Sequence, residues 1–168
     1  MSREEGIGRV LDFEYDALPV RVIFGLGTAD RRLAGVVGDL GLRRVLVIVT
    51  RGEESLARRL VVPFSERVAG VFTDVRPHVP VAVAEAARAA VARYGADAVL
   101  SIGGGSTTGT AKAVALTTGL PIVAVPTTYA GSEVTPVWGL TEDGRKTTGS
   151  DLRVLPRVVL YDPTLTTT

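Results

Sequence analysis

The sequence predicts an α/β fold, an open and mostly parallel sheet with helices on both faces, and two observations predict it. Short β-rich apolar runs alternate with longer helical patterns from residue 44 onward, the spacing of strand–helix–strand crossovers. The runs are also continuous in their apolar character rather than alternating, as strands covered on both faces require.

Each element follows in order. Phe13-Glu14-Tyr15 and Pro19 to Phe24 read as two strands separated by a turn, an N-terminal β-hairpin. Arg44 to Thr50 is the first buried strand. Glu53 to Val62 is a helix, with Leu56, Leu60 and Val61 on one face. Val68 to Phe72 is a short strand. Val81 to Tyr94 is the strongest helix, rich in alanine, with Glu85, Arg88 and Arg93 on its outside and Gly95 where a C-cap is wanted. Asp97 to Ile102, Thr107 to Thr118, Pro121 to Val125 and Arg157 to Tyr161 then read as strand, helix, strand and strand. No internal repeat or low-complexity linker interrupts the chain, so residues 1–168 read as one domain.

Composition removes several classes of function. Hydrophobic residues are 46% and charged residues 22%, ordinary for a globular protein. The formal net charge is +1, so neither nucleic acid nor an anionic membrane is implied as a partner, and any anion must be held by a specific loop. There is no cysteine, which excludes disulfides, thiolate metal sites and cysteine nucleophiles. The first residues carry charges where a signal peptide needs an apolar core, and no run approaches ~18 apolar residues, so a cytoplasmic location is expected.

Two loops carry chemistry. In Ser101-Ile-Gly-Gly-Gly-Ser-Thr-Thr-Gly-Thr-Ala-Lys112, three glycines separate a buried strand from a helix. A phosphate could approach the N–H groups of Gly104, Gly105 and Ser106 there, with the positive end of the helix behind them and the Ser106 and Thr107 hydroxyls beside them. The same glycines also suit a tight turn with no ligand. A standard dinucleotide fingerprint would need glycine at Thr108, and a P-loop would need Lys-Ser/Thr after Gly109, where Thr110-Ala111 stand, so an ATPase is set aside. The second loop, Pro126-Thr-Thr-Tyr-Ala-Gly-Ser-Glu-Val-Thr135, also follows a strand directly. Ligands of open α/β sheets lie outside the carboxyl ends of the strands, so both loops can converge on one ligand. Thr127, Thr128, Tyr129, Ser132 and Thr135 offer hydroxyls to an amide, ribose or phosphate, or serve as turn and capping residues, with Ser132-Glu133 opening a helix. With one histidine in the chain, a hydrolase triad has no support, and His78 in its proline-rich loop reads as a surface residue. Lys112, one turn into the helix, can pair locally. Lys146 falls in a hairpin-like Asp143-Gly144 context and could reach a cofactor.

These residues resemble one family. Gly103-Gly-Gly-Ser106 with Lys112 beyond it, then Pro126-Thr-Thr128 and Gly131-Ser-Glu-Val-Thr135, are similar to the paired signatures of iron-containing alcohol dehydrogenase-like enzymes, and within them to the maleylacetate reductase branch. Pro136-Val-Trp-Gly-Leu-Thr-Glu142, His78-Val-Pro-Val81 and Val154-Leu-Pro-Arg157 extend the match over nearly the whole chain. The resemblance implies a Rossmann-like domain binding NADH or NADPH. It also implies a small-molecule substrate of the 2-maleylacetate kind, reduced to 3-oxoadipate in aromatic-compound breakdown, and a homodimer, with the N-terminal hairpin as the candidate contact; an alcohol or aldehyde dehydrogenase of the same family and a non-catalytic nucleotide-binding module are the alternatives. By carry-over, Gly104, Gly105 and Ser106 would cradle the pyrophosphate, and Thr127, Thr128 and Thr135 would line the path toward the nicotinamide; Gly103, Thr107, Tyr129, Lys146 and Arg51 complete the expected cofactor-binding set. Gly109 departs from the Asp that many members carry. Arg51 departs from an Asp after the first strand, which leaves room for a 2′-phosphate. The helical domain with the family's Asp and His metal ligands is not in this chain, and His78 alone cannot rebuild a metal site, so the isolated chain is expected to be inactive.

Overall fold

The computed structural model describes residues 17–166. Its main sheet has six strands: β1 (Arg21–Phe24), β2 (Val45–Val49), β3 (Val68–Phe72), β4 (Ala98–Gly103), β5 (Ile122–Pro126) and β8 (Val158–Tyr161). They lie in the order β1-β8-β5-β4-β2-β3, and every pairing is parallel. Helices α1 (Thr28–Asp39), α2 (Glu54–Val61), α3 (Val81–Tyr94) and α4 (Gly105–Thr118) connect them. A separate antiparallel hairpin, β6 (Val137–Glu142) and β7 (Arg145–Ser150), turns at Asp143-Gly144, both left-handed as a two-residue hairpin turn demands.

The continuous apolar runs are explained by the two faces they serve. Val45, Val47 and Val49 pack with Leu33, Val36, Val37 and Leu60 of α1 and α2. Leu46 and Ile48, between them in sequence, pack with Ala87, Val91, Ala111 and Val114 of α3 and α4. Strand side chains alternate faces, so a strand with helices above and below must be apolar throughout. β2 and β5 are buried at every position.

Four differences from the sequence expectation have physical reasons. The run from Pro19 forms β1, which joins the sheet edge in parallel beside β8. Its expected hairpin partner, Phe13 to Tyr15, lies outside the described residues, and the antiparallel hairpin that is described is β6–β7. Helix α1 has no counterpart in the sequence reading. Its buried face is Ala29, Leu33, Val36 and Val37, but Gly35 and Gly38 weaken the local propensity that would reveal it. Ser132–Val134 makes a single 3₁₀ turn where a helix was one option. Arg88, expected on the outside of α3, reaches across to α4 and donates from Nη2 to the Ala113 carbonyl at 2.9 Å.

The sheet order places β3 to one side of β2 and β4 to the other. The direction of winding reverses between β2 and β4, and the crevice outside their carboxyl ends is where such sheets hold ligands.

Candidate functional site

The glycine turn opens on this crevice. β4 ends at Gly103 and α4 begins at Gly105, so a single residue separates strand from helix. Gly103 has φ 147°, and a Cβ there would stand 2.5 Å from Thr107 Oγ1 and 2.8 Å from Glu53 Oε2. No other residue fits under those two side chains. The amides of Thr107 and Thr108 both donate to the Gly104 carbonyl, at 3.1 Å, while those of Gly105 and Ser106 have no protein acceptor among the described residues. These are the donors that the first turn of a helix leaves free, at its positive end. Thr107 is 1% exposed and its hydroxyl has no partner. An unpaired buried hydroxyl costs about 1–3 kcal/mol, and this one, like that of Ser101, has no partner among the described residues.

The second loop closes on the first. Thr127 N donates to the Gly103 carbonyl at 3.1 Å. The side chains of Thr128 and Ala130 stand 3.3 Å from where Cβ atoms would sit on Gly104 and Gly105. Glu53 braces three strand ends at once: Thr50 Oγ1 donates to its Oε2 at 2.7 Å, and Thr127 Oγ1 to its Oε1 at 2.6 Å, directly over Gly103. Sequence reasoning passed over Glu53 because it reads as an ordinary acidic residue at a helix start. Its position after the strand beside the glycine turn was the available signal.

Lys112 and Glu133 fix the rest of that loop. Lys112 is 1% exposed, and its Nζ donates to the carbonyls of Ser132, Thr135 (2.7 Å) and Val137 (2.8 Å), with Thr135 Oγ1 at 3.3 Å. Burial pulls its pKa from 10.5 down to about 8, with the Glu133 carboxylate opposing that shift. Glu133, also 1% exposed, accepts from Tyr161 Oη at 2.6 Å and Gly131 N at 3.2 Å. Burial and this carboxylate hold the Tyr161 phenol well above its ordinary pKa. The Thr135 hydroxyl is engaged here, donating to the Ser132 carbonyl at 3.0 Å.

Beside the turn lies a cavity of about 390 Å³. Gly105 and Ser106 form one wall, His78 and Val79 a second, and Trp138, Lys146 and Thr148 of the hairpin a third; no acidic residue lines it. The walls are tied together. Thr141 of the hairpin donates from N to the Val79 carbonyl (3.0 Å) and from Oγ1 to the His78 carbonyl (2.8 Å). His78 and Val79 are both left-handed, φ 61° and 50°, which is strained for a β-branched valine. That conformation buries Val79 against α4, where its Cγ2 lies 2.7 Å from the position of a Cβ on Gly109. The space that an Asp side chain would use at position 109 is therefore filled by Val79.

Among the residues singled out from sequence, Gly103, Gly104, Gly105, Ser106, Thr107, Thr127 and Thr128 come together at the turn, and Lys146 reaches the same cavity. Tyr129 does not. It is 60% exposed and stacks on Tyr161, with ring centroids 5.7 Å apart, while its hydroxyl accepts from Thr166. Arg51 is exposed in the turn after β2.

A parallel sheet whose winding reverses beside a glycine turn with free amides defines a Rossmann-like α/β domain. The chain belongs to the iron-containing alcohol dehydrogenase family, whose model matches residues 19–163. It is 51% identical over 156 residues to a maleylacetate reductase of Sphingobium indicum, covering 93% of this chain and 44% of that protein. It is similar to the crystal structure of maleylacetate reductase from Agrobacterium tumefaciens, with TM-score 0.87 and 45% identity over 93% of this chain and 44% of that one. It is also similar to sulfoacetaldehyde reductase from Bifidobacterium kashiwanohense in complex with NAD+, with TM-score 0.84 and 30% identity over 92% of this chain and 48% of that one. The chain thus spans under half the length of these relatives. The family name implies iron, but the described residues contain no group of three or more His, Cys, Asp or Glu side chains able to hold a metal ion. The donors present do not fit iron. No helix of the described residues is long and apolar enough to cross a membrane.

Proposed function

We propose that this chain binds NADH or NADPH and supplies the cofactor half of a maleylacetate reductase. The observation that carries this reading is the pair of free amides, Gly105 and Ser106, at the wall of the cavity, on a turn where Gly103 admits no side chain. Two phosphates need donors that are already in place and no bulk in front of them, and this turn supplies both. The Ser106 hydroxyl adds a donor, and Lys146 and His78 bring cationic or polar character to the adjoining cavity.

When bound, the nicotinamide would supply a hydride to one carbon of the double bond of 2-maleylacetate while a solvent-derived proton goes to the other, giving 3-oxoadipate and oxidised cofactor. The role of this chain is to hold and orient. Thr128 flanks Gly104 from the second loop, and Thr127, tied to Glu53, fixes the distance between loops. The Glu53 carboxylate, with lone pairs to spare after two hydroxyl donations, suits a ribose diol better than a further phosphate. Arg51, exposed beyond it, leaves a 2′-phosphate a counter-charge, so NADPH is accepted beside NADH. The remaining length seen in the relatives, a maleylacetate-like substrate and a second copy of the chain are the partners this reading expects. On this reading, the isolated chain binds cofactor without turning over.

Calorimetric titration with NADH and NADPH, beside a Gly104→Asp variant, tests the proposal. The Cβ at Gly104 meets only the movable Thr128 side chain at 3.3–3.4 Å, so the variant should fold, and its carboxylate should repel the pyrophosphate. Binding lost in the variant is the expected result. Equal binding by the two chains, or none by the parent, would overturn the reading.

A further inference from the structure

We propose that Lys112 is a positioning residue that locks the second loop and the hairpin onto α4 and so forms the cavity beside the glycine turn before a cofactor arrives. The inference rests on the cofactor reading above and assigns a residue to it. Three carbonyls from Ser132, Thr135 and Val137, spread across a 3₁₀ turn and the first residue of β6, converge on one ammonium. Among the described residues Lys112 is the one side chain that donates to the Thr135 and Val137 carbonyls, and it shares the Ser132 carbonyl with the Thr135 hydroxyl. Glu133, inside the same turn, holds it from the opposite side through Tyr161 Oη and Gly131 N. The turn is thus pinned to α4 by one ion and to β8 by the other.

Packing alone does not call for this arrangement. An apolar side chain would fill the same volume without a buried charge, and the lowered pKa of Lys112 shows that holding the charge there is unfavourable to the fold. What an ammonium does that a methyl group cannot is orient several carbonyls at once, which fixes the direction of the chain leaving toward Trp138 and Lys146. Those two residues form the cavity wall facing Gly105 and Ser106. With the ammonium gone, the Thr135 and Val137 carbonyls lose their side-chain donor and the chain turns them toward water, while Ser132 keeps the Thr135 hydroxyl. The hairpin then swings from α4, although the parallel sheet beneath is untouched.

Trp138 is the sole tryptophan, so its fluorescence reports on this wall without labelling. The experiment compares acrylamide quenching of Trp138 and NADH affinity in the 168-residue chain and its Lys112→Met variant, with far-UV circular dichroism to verify the sheet and helices. The expected result is a native-like dichroism spectrum, at least a doubling of the quenching constant and a loss of NADH affinity of roughly tenfold or more. A folded variant with quenching and affinity unchanged would overturn the proposal. Should Lys112→Met not fold, Thr135→Val removes one of the four oxygens around Nζ, together with that hydroxyl's bonds to the Ser132 carbonyl and Val137 N, and should shift both readouts in the same direction by a smaller factor. No shift there would also overturn it. If the parent binds no NADH, the cofactor reading falls, and the latch itself is judged by quenching: an unchanged constant refutes it.

Discussion

Raising the pH from neutrality should make this protein more stable, and Lys112 is the reason. Its pKa lies near 8 in the folded chain against an ordinary 10.5. Between those values the unfolded chain keeps a proton that the folded chain has released, so stability rises with pH across the window. The full gap corresponds to roughly 3 kcal/mol, of which roughly 2 is gained between about pH 7 and pH 10, before the unfolded lysine itself titrates. Tyr161 acts in the opposite sense at higher pH. Its phenol, raised above 10.0 by burial and by Glu133, stays protonated in the folded state after the unfolded one has ionised, so its contribution is lost as pH climbs beyond that value. The curve should therefore rise and then flatten. Urea unfolding at the two pH values, followed by circular dichroism, should move the parent midpoint up by about 1 M, given a slope of roughly 1–3 kcal/mol per molar for small domains. Lys112→Met should show almost none of that shift. A parent that is flat or less stable at the higher pH, or a variant that rises as much, would refute the reasoning.

Three further outcomes follow from single contacts. Gly109→Ala gains about 1 kcal/mol of helix propensity but drives a Cβ to 2.7 Å from Val79 Cγ2, so a net loss of about 1 kcal/mol is expected, and adding Val79→Ala should remove the overlap and with it the coupling between the sites in a thermal-melt cycle. Glu53→Gln should lower NADH affinity about tenfold while leaving NADPH affinity nearly unchanged, checked by titrating both cofactors. Asp162→Ala should cost about 2–4 kcal/mol in urea unfolding, because it strips the acceptor from Gly27 N (2.9 Å) and Ala29 N (3.1 Å) at the start of α1 and from Thr164 N in the turn after β8. Burial works against the Asp162 carboxylate, yet donation from Thr164, Ala29 and Gly27 holds its pKa below 3.8, so its share of stability should be present above that value and fade as pH falls through the lowered one.

The sheet was legible because burial on both faces leaves a plain signature. Val68–Phe72 and Val81–Tyr94 match their expected bounds, and the runs at Val45–Val49 and Ile122–Pro126 differ by a residue at each end. The glycine turn was legible for the same kind of reason: three consecutive glycines after a buried strand have few uses. Helix α1 was hidden by Gly35 and Gly38, whose poor helix propensity is overridden by packing of Leu33, Val36 and Val37 under the sheet. The hidden parts of the site are its buried ions. Glu53 and Glu133 carry no local sign of burial, Lys112 stands in an alanine-rich helix segment that names no partner for it, and only the close approach of the second loop, β6 and β8 to the sheet end reveals what each one meets. Position 109 shows the converse. There the departure from the family pattern, Gly109 in place of Asp, is packed by Val79.

The central claim, that the free amides of the glycine turn receive the phosphates of a nicotinamide dinucleotide, is tested most directly by amide nuclear magnetic resonance of the chain during addition of NADH. The account predicts saturable shifts centred on Gly104, Gly105, Ser106 and Thr107, with smaller ones at Lys146 and Trp138 across the cavity. Shifts confined to other parts of the sheet, or a glycine turn that does not respond while NADH is bound, would contradict it.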